Sequence, residues 1–187
     1  MKNIAIFASG SGTNAENIAN FFKNSADVKI SLIVSNKKDA FVHERAKKMD
    51  IESVIFSKQE FETTDKVLDL LKERNIDFIV LAGFLLKVPH NLLDAYPNKI
   101  INIHPALLPK FGGKGMYGDA VHKAVVEAGE TQSGITIHYV NENYDEGAII
   151  FQATCDVAES DTFEDVAKKV HTLEYMHFPI VIERLLK

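Results

Sequence analysis

Asn102 and His104 are the side chains whose types and spacing speak most directly of chemistry. They break an apolar run, Ile100, Ile101 and Ile103, of the β-branched character expected of a buried strand. Alternate strand residues share a face, so both should aim the same way near the strand's end, just before Pro105 stops it. In an open parallel sheet, ligands bind at the carboxyl ends of strands. An amide and an imidazole aimed together there can donate to developing negative charge and carry protons. A third group is Asp145, in the loop 141–147 between two strands expected over 133–140 and 148–157, which can pair as an antiparallel hairpin. A carboxylate there can reach His104 and favour its charged form, raising its pKa.

A second candidate lies near the start. The buried strand at 4–8 runs into Ser9-Gly10-Ser11-Gly12-Thr13-Asn14, which opens a helix to about residue 22. Glycines let backbone approach a ligand closely, and amides at a helix start suit an anion. The spacing Gly10-x-Gly12-x-x-Ala15 also fits a dinucleotide fingerprint, but that needs an acidic residue closing the second strand. Here the strand over 28–35 ends in Ser35-Asn36-Lys37-Lys38, which argues for a phosphate loop without a dinucleotide, or a tight turn with no ligand at all. A third candidate is Glu174, on the extended apolar stripe of Phe163, Ala167 and Val170, where a carboxylate must find a partner or a ligand. His171, Glu174 and His177 invite a metal reading, yet only neighbouring pairs share a face and no acid-rich motif accompanies them, so none is expected.

The elements that must position these groups alternate strand and helix. Helices are expected over 39–49, 59–75, 89–96 and 117–128, with strands at 54–56 and 77–82 between the first three. The last helix should start near a cap at Ser160 or Asp161 and be ended or kinked by Pro179. His122 is expected near the surface, and residues 133–140 as a half-buried strand. The alternation implies an α/β chain: a single domain, residues 1–187, built on a mostly parallel twisted sheet covered by helices on both faces, with a C-terminal antiparallel hairpin. A formal charge of −5 disfavours a sequence-independent grip on nucleic acid. With no spanning apolar run and no leader before the first strand, a soluble cytoplasmic protein is expected. The one cysteine, Cys155, cannot form an internal disulfide and reads as an inert core thiol.

Taken in order, SGSGTN at 9–14, LAGF at 81–84, NIHPALLPKF at 102–111, YDEG at 144–147 and HTLEYMHFP at 171–179 make the chain resemble the folate-dependent glycinamide ribonucleotide formyltransferases of purine synthesis, over nearly its whole length. The resemblance implies a Rossmann-like formyltransferase fold and transfer of the formyl group of 10-formyltetrahydrofolate to the amine of 5-phosphoribosylglycinamide, without a metal. It implies catalysis by Asn102, His104 and Asp145. It lays the substrate phosphate on Gly12, Thr13 and Asn14 and the ribosylglycinamide on Glu174 and His171. The folate falls against Leu85, Leu86, Lys87 and Val88, Asn102, and Asn141, Glu142, Asn143, Tyr144 and Asp145. Leu86 stands where the family commonly has Arg, with Lys87 next to it. Small molecules are the implied partners, with no nucleic acid and no membrane. Formyltetrahydrofolate hydrolases and methionyl-tRNA formyltransferases share the Asn, His and Asp set but carry a further domain in front or behind, and at 187 residues neither is expected here. A non-catalytic nucleotide-binding module would leave that set unexplained.

Overall fold

The computed structural model describes all 187 residues. Contacts between Cα atoms divide the chain into two compact units, Met1–Ile101 and Asn102–Lys187. In the first, strands β1 (Lys2–Phe7), β2 (Val28–Ser35), β3 (Ser53–Ile55) and β4 (Phe78–Leu81) pair in parallel in the order β3-β2-β1-β4. Ile4, Ala5, Ile6 and Phe7 have no exposed surface. This suits a parallel sheet, whose inner strands read as continuous apolar runs rather than alternating ones. Helices α1 (Thr13–Phe22), α2 (Val42–Lys48), α3 (Lys58–Thr63), α4 (Lys66–Glu73) and α5 (His90–Ala95) complete the unit. Phe7, Phe61 and Phe84 meet edge to face, with ring centroids 5.1 to 6.1 Å apart.

Strand β5 (Ile100–His104) begins in the first unit beside β4, where Ile79 N–H donates to Lys99 O at 2.9 Å, and ends in the second. There the order continues β5-β6-β7, with β6 (Gln132–Tyr139) and β7 (Ile149–Asp156) antiparallel, followed by the 24-residue helix α7 (Phe163–Leu186). Helix α6 (Asp119–Glu127) packs on α7. No helix is long and apolar enough to cross a membrane.

Four local expectations change. The helix expected over 59–75 is two, because Thr63 and Thr64 turn their hydroxyls onto the Gln59 and Glu60 carbonyls and Thr64 is extended; threonine competes with the helix in this way. The last helix is capped by Thr162, whose hydroxyl takes the Asp165 amide in a reciprocal box with the Asp165 carboxylate, rather than by Ser160 or Asp161. Nor does Pro179 end it. Val170 and Phe178 before the proline and Val181 and Ile182 after it are all buried, and that packing outweighs the roughly 3 kcal/mol of an interior proline. Finally, β6 is buried on both faces from Ser133 to His138, where α7 packs on it and Leu107 lies against Gly134, and the alternation appears instead on β7. Cys155, on β7, is only partly buried, and burial pushes its thiol pKa up.

Gly134 marks where β6 has no room. A Cβ there would lie 2.0 Å from the Ala153 carbonyl oxygen and 2.8 Å from Leu107 Cδ2. Gly134→Ala is therefore expected to cost about 1–3 kcal/mol through overpacking, read as a shifted denaturant midpoint. An unchanged midpoint would contradict this close approach.

Candidate active site

At the end of β5, Asn102 is half-buried and His104 buried, and both belong to one four-residue cluster in the second unit. His104 Nε2 lies 2.7 Å from the carbonyl oxygen of Phe111, a residue held at φ 56°. A carbonyl can only accept, so Nε2 carries the hydrogen. The other nitrogen, Nδ1, lies 3.5 Å from Asp145 Oδ2. Asp145 is itself in the left-handed region, at φ 57°, and its Oδ2 accepts the Gly113 amide at 2.9 Å. Asp145 Oδ1 lies 3.5 Å from Asn102 Nδ2 and 3.6 Å from His138 Nε2.

His138 is the member that the sequence reading passed over as a polar residue of an alternating strand. Its Nδ1–H donates to the Tyr139 carbonyl at 2.8 Å, so in the neutral ring Nε2 accepts from Asn102 Nδ2, at 3.1 Å. One hydrogen of the Asn102 amide is thus committed. The other is held only at the 3.5 Å separation from Asp145. The signal was present in the sequence: His138 stands on the strand that leads directly into the Asp145 loop.

Asp145 reaches His104, as expected, but the net shift of the histidine is the opposite of the expected one. Burial lowers the His104 pKa and outweighs the raising pull of the Asp145 charge and the Phe111 carbonyl. For Asp145, burial raises the pKa, yet the neighbouring His138 and His104 and the Gly113 amide together bring it below the ordinary value. The site therefore holds a neutral imidazole beside an ionised carboxylate near neutral pH.

A second cluster occupies α6 and α7. Glu174 is buried on the apolar stripe as expected, and its carboxylate pairs with His171 Nδ1 at 2.8 Å. That hydrogen bond raises the His171 pKa. The His171 ring stacks on Tyr175 and meets the ring of His122 edge to face, with centroids 6.2 Å apart in each case. His122 is buried, not near the surface. It lies on the same face of α6 as Val121 and Val125, and α6 packs against α7. Burial, then the charge of His171, lowers its pKa. His177 packs instead on Phe151, at 4.9 Å.

The remaining residues fall into separate places. Gly12, Thr13 and Asn14 form the start of α1 in the first unit. Gly12, at φ 74°, could not take a side chain, since a Cβ would come within 2.4 Å of Val42 Cγ2. Three of the loop's carbonyls are engaged: Gly10 O by Val42 N–H at 3.2 Å, Ser11 O by Arg45 Nε at 2.8 Å and Gly12 O by Glu16 N–H at 2.9 Å. None of the three is left to oppose an anion at the amides. Also in the first unit, Leu85 N–H donates to Ser9 Oγ at 3.0 Å; Leu85 and Leu86 are half-buried, Lys87 exposed and Val88 buried. In the second unit, Asn141, Glu142, Asn143 and Tyr144 are exposed on the loop that delivers Asp145, with Asn143 N–H donating to Asn141 Oδ1 at 2.9 Å.

A family model described as Formyl transferase matches residues 2–182, and the chain belongs to the formyl transferase family. It is 39% identical over 191 residues to Phosphoribosylglycinamide formyltransferase of Bacillus subtilis (strain 168), covering 100% of this chain and 95% of that one. It is 44% identical over 175 residues to the chloroplastic enzyme of that name from Arabidopsis thaliana, covering 90% of this chain and 60% of that one. The chain thus spans about three fifths of the length of the plant relatives, 60% and 61% for the Arabidopsis thaliana and Vigna unguiculata proteins. The crystal structure of phosphoribosylglycinamide formyltransferase from Streptococcus pneumoniae TIGR4 superposes with a TM-score of 0.88 at 35% identity, covering 100% of both chains. Within the family, the chain stands with the phosphoribosylglycinamide formyltransferases, and its mostly parallel sheet with C-terminal antiparallel strands is the formyltransferase fold.

Two of the buried histidines, His104 and His122, fix the sign of an acid response. His104 and His122 both have folded pKa values below the ordinary value of 6.5, so their contribution to stability is complete above pH 6.5 and is lost as pH falls through the folded values. His171, shifted upward, contributes below pH 6.5 and loses that contribution as pH rises through its folded value. Thermal melts should therefore drop as pH falls below about 6.5, by at most about 1.4 kcal/mol per pH unit for each proton taken up. His122→Asn should make the drop shallower. An identical slope in the variant would mean that His122 takes up no proton in the folded state differently from the unfolded one.

Proposed function

We propose that the protein transfers the formyl group of 10-formyltetrahydrofolate to the amine of 5-phosphoribosylglycinamide, giving formylglycinamide ribonucleotide and tetrahydrofolate in purine synthesis, and that residues 1–187 act as one formyltransferase domain. The observation that carries this reading is the cluster of Asn102, His104, His138 and Asp145 in a chain of this family. Neutral His104 presents a bare Nδ1 lone pair beside the Asp145 carboxylate, a pair of acceptors suited to the N–H of an incoming amine.

As the amine nitrogen bonds to the formyl carbon, the carbonyl electron pair moves onto its oxygen and a proton passes from the amine to His104 Nδ1. The loosely held hydrogen of the Asn102 amide and the new imidazolium stabilise that oxygen, an effect worth about a hundredfold to a thousandfold in rate. Asp145 stabilises the imidazolium. The oxygen's electron pair then re-forms the carbonyl, the carbon–N10 bond breaks, and N10 takes the proton from the His104 imidazolium, which returns to its neutral form. Every charge in this sequence is met by a protein group, so the reading requires no metal.

For the ribotide, Gly12, Thr13 and Asn14 take the phosphate on backbone amides, and Glu174, oriented by His171, accepts hydrogen bonds from the ribosylglycinamide. The folate lies on Leu85 to Val88 and on Asn141 to Asp145, with the exposed Lys87 supplying the cation that Leu86 does not. The ligands are small molecules, no nucleic acid or membrane takes part, and the setting is the cytoplasm.

The test is the purified protein with formyl folate, offered glycinamide ribotide, initiator tRNA or water alone. The ribotide should be turned over; preference for tRNA or water would overturn the acceptor. Asn102→Ala and His104→Ala should each lower the single-turnover rate by about a hundredfold or more while substrate binding survives. Rates near wild type in both would remove the pair from the mechanism. Calorimetry should show the ribotide binding far more tightly than the riboside that lacks phosphate, and equal affinities would clear the glycine loop of its role.

A further inference from the structure

The loop at 105–113 carries the acceptor that fixes His104, and its own anchorage lies outside the site. The hydroxyl of Thr136, fully buried on β6, donates to the Ala106 carbonyl at 2.7 Å and accepts the Leu108 amide at 3.0 Å. It also accepts from Gln152 Nε2 at 2.9 Å, and the same Gln152 nitrogen donates to the Leu108 carbonyl at 3.1 Å. Thr136 and Gln152 are opposite one another in the antiparallel register of β6 and β7. One hydroxyl hydrogen and both its lone pairs are spent, so this cross-strand pair pins three backbone groups of a segment that has no strand or helix of its own. Packing completes the hold: Leu107 lies over Gly134, and Gly112 leaves no room for a side chain against Leu108. The far end of the loop presents the Phe111 carbonyl to His104 and the Gly113 amide to Asp145.

We propose that Thr136 and Gln152 are positioning residues for His104, holding the 105–113 loop so that the Phe111 carbonyl keeps the imidazole hydrogen on Nε2 and leaves Nδ1 as the proton acceptor. A neutral imidazole whose Nδ1 faces a carboxylate at 3.5 Å gains most by placing its hydrogen there, donating to Asp145. That tautomer has no lone pair left for an amine. The 2.7 Å bond to Phe111 opposes it, and the bond persists only while the loop is held. The groups acting electrostatically on His104 are Asp145, His138 and Glu174, whereas the side-chain hydrogen bonds of Thr136 and Gln152 run to one another and to Ala106 and Leu108, so a change at the pair reaches the imidazole through the loop.

The inference rests on His104 acting in formyl transfer, and the test separates the two. Gln152 is exposed, so Gln152→Leu removes its amide without burying a new group. In ¹⁵N-labelled wild type, neutral His104 should show a protonated Nε2 and a bare Nδ1; in Gln152→Leu and Thr136→Val the Nδ1–H form should appear. kcat should fall about tenfold to a hundredfold, with KM for both substrates changed far less. Thr136→Ser, which keeps the hydroxyl, should restore the Nε2–H form and most of the rate. If His104→Ala abolishes turnover while Gln152→Leu retains tautomer and kcat and loses only melting temperature, the positioning role is wrong and the reading of the site stands. Full turnover by His104→Ala would overturn both.

Discussion

The hydrogen bond from His104 Nε2 to the Phe111 carbonyl is the contact on which the chemistry of the second unit depends. Burial holds this imidazole neutral against the pull of Asp145, and the bond decides which nitrogen then bears the hydrogen. Phe111 can offer its carbonyl because it adopts a left-handed conformation, uncommon for an aromatic residue and stable only where the surroundings determine it. Asp145 is held left-handed as well, and it is tied to the same loop through Gly113. Two conformations of modest cost are thus maintained by one short segment and the strand pair beneath it. The result is an imidazole and a carboxylate held side by side in the resting protein by the same loop.

The two histidine clusters answer burial in opposite ways, and the partner explains the difference. His171 keeps half of its side chain exposed and has a buried carboxylate as its direct hydrogen-bond partner, so its charged form gains. His104 has its carboxylate at 3.5 Å and a carbonyl as its close partner, and is almost wholly buried, so desolvation prevails. A charged His171 beside Glu174 neutralises a carboxylate that would otherwise be costly to bury. A neutral His104 beside Asp145 leaves a carboxylate whose compensation comes from the Gly113 amide and from His138. The first pair is settled in the resting protein, whereas the second is completed only when a proton arrives.

Much of the fold was legible in the sequence because parallel strands buried on both faces leave unbroken apolar runs, and 4–8, 78–82 and the 32–34 part of the second strand are such runs. Asn102 and His104 stood out against one for the same reason. The misjudged places are those where a local signal lost to context. Thr63 and Thr64 fit a helical stripe but turn their hydroxyls onto the backbone, and Pro179, expected to end or kink the last helix, does not end it because packing carries the helix onward. His122 and His138 were hidden because burial of a histidine depends on which helix or strand covers it, and spacing alone does not reveal that. The sign of the His104 shift was hidden too, since it is the difference between desolvation and a carboxylate's pull.

The glycine loop of the first unit reaches preorganisation by another route. Its conformation is fixed from behind by the first turn of α2: Val42 donates its amide to Gly10, Arg45 donates to the Ser11 carbonyl, and the Val42 side chain fills the space a Cβ on Gly12 would need. Arg45 also pairs with Glu16, in the first turn of α1, and lies over the Phe41 ring. A carboxylate in that turn is favourable to the helix dipole but would repel an anion seated on the same amides. The guanidinium offsets that repulsion while it holds the loop's carbonyl away. Glycine and arginine are therefore complementary here: the glycine supplies a backbone conformation that no other residue takes readily, and the arginine holds the Ser11 carbonyl of that backbone in place.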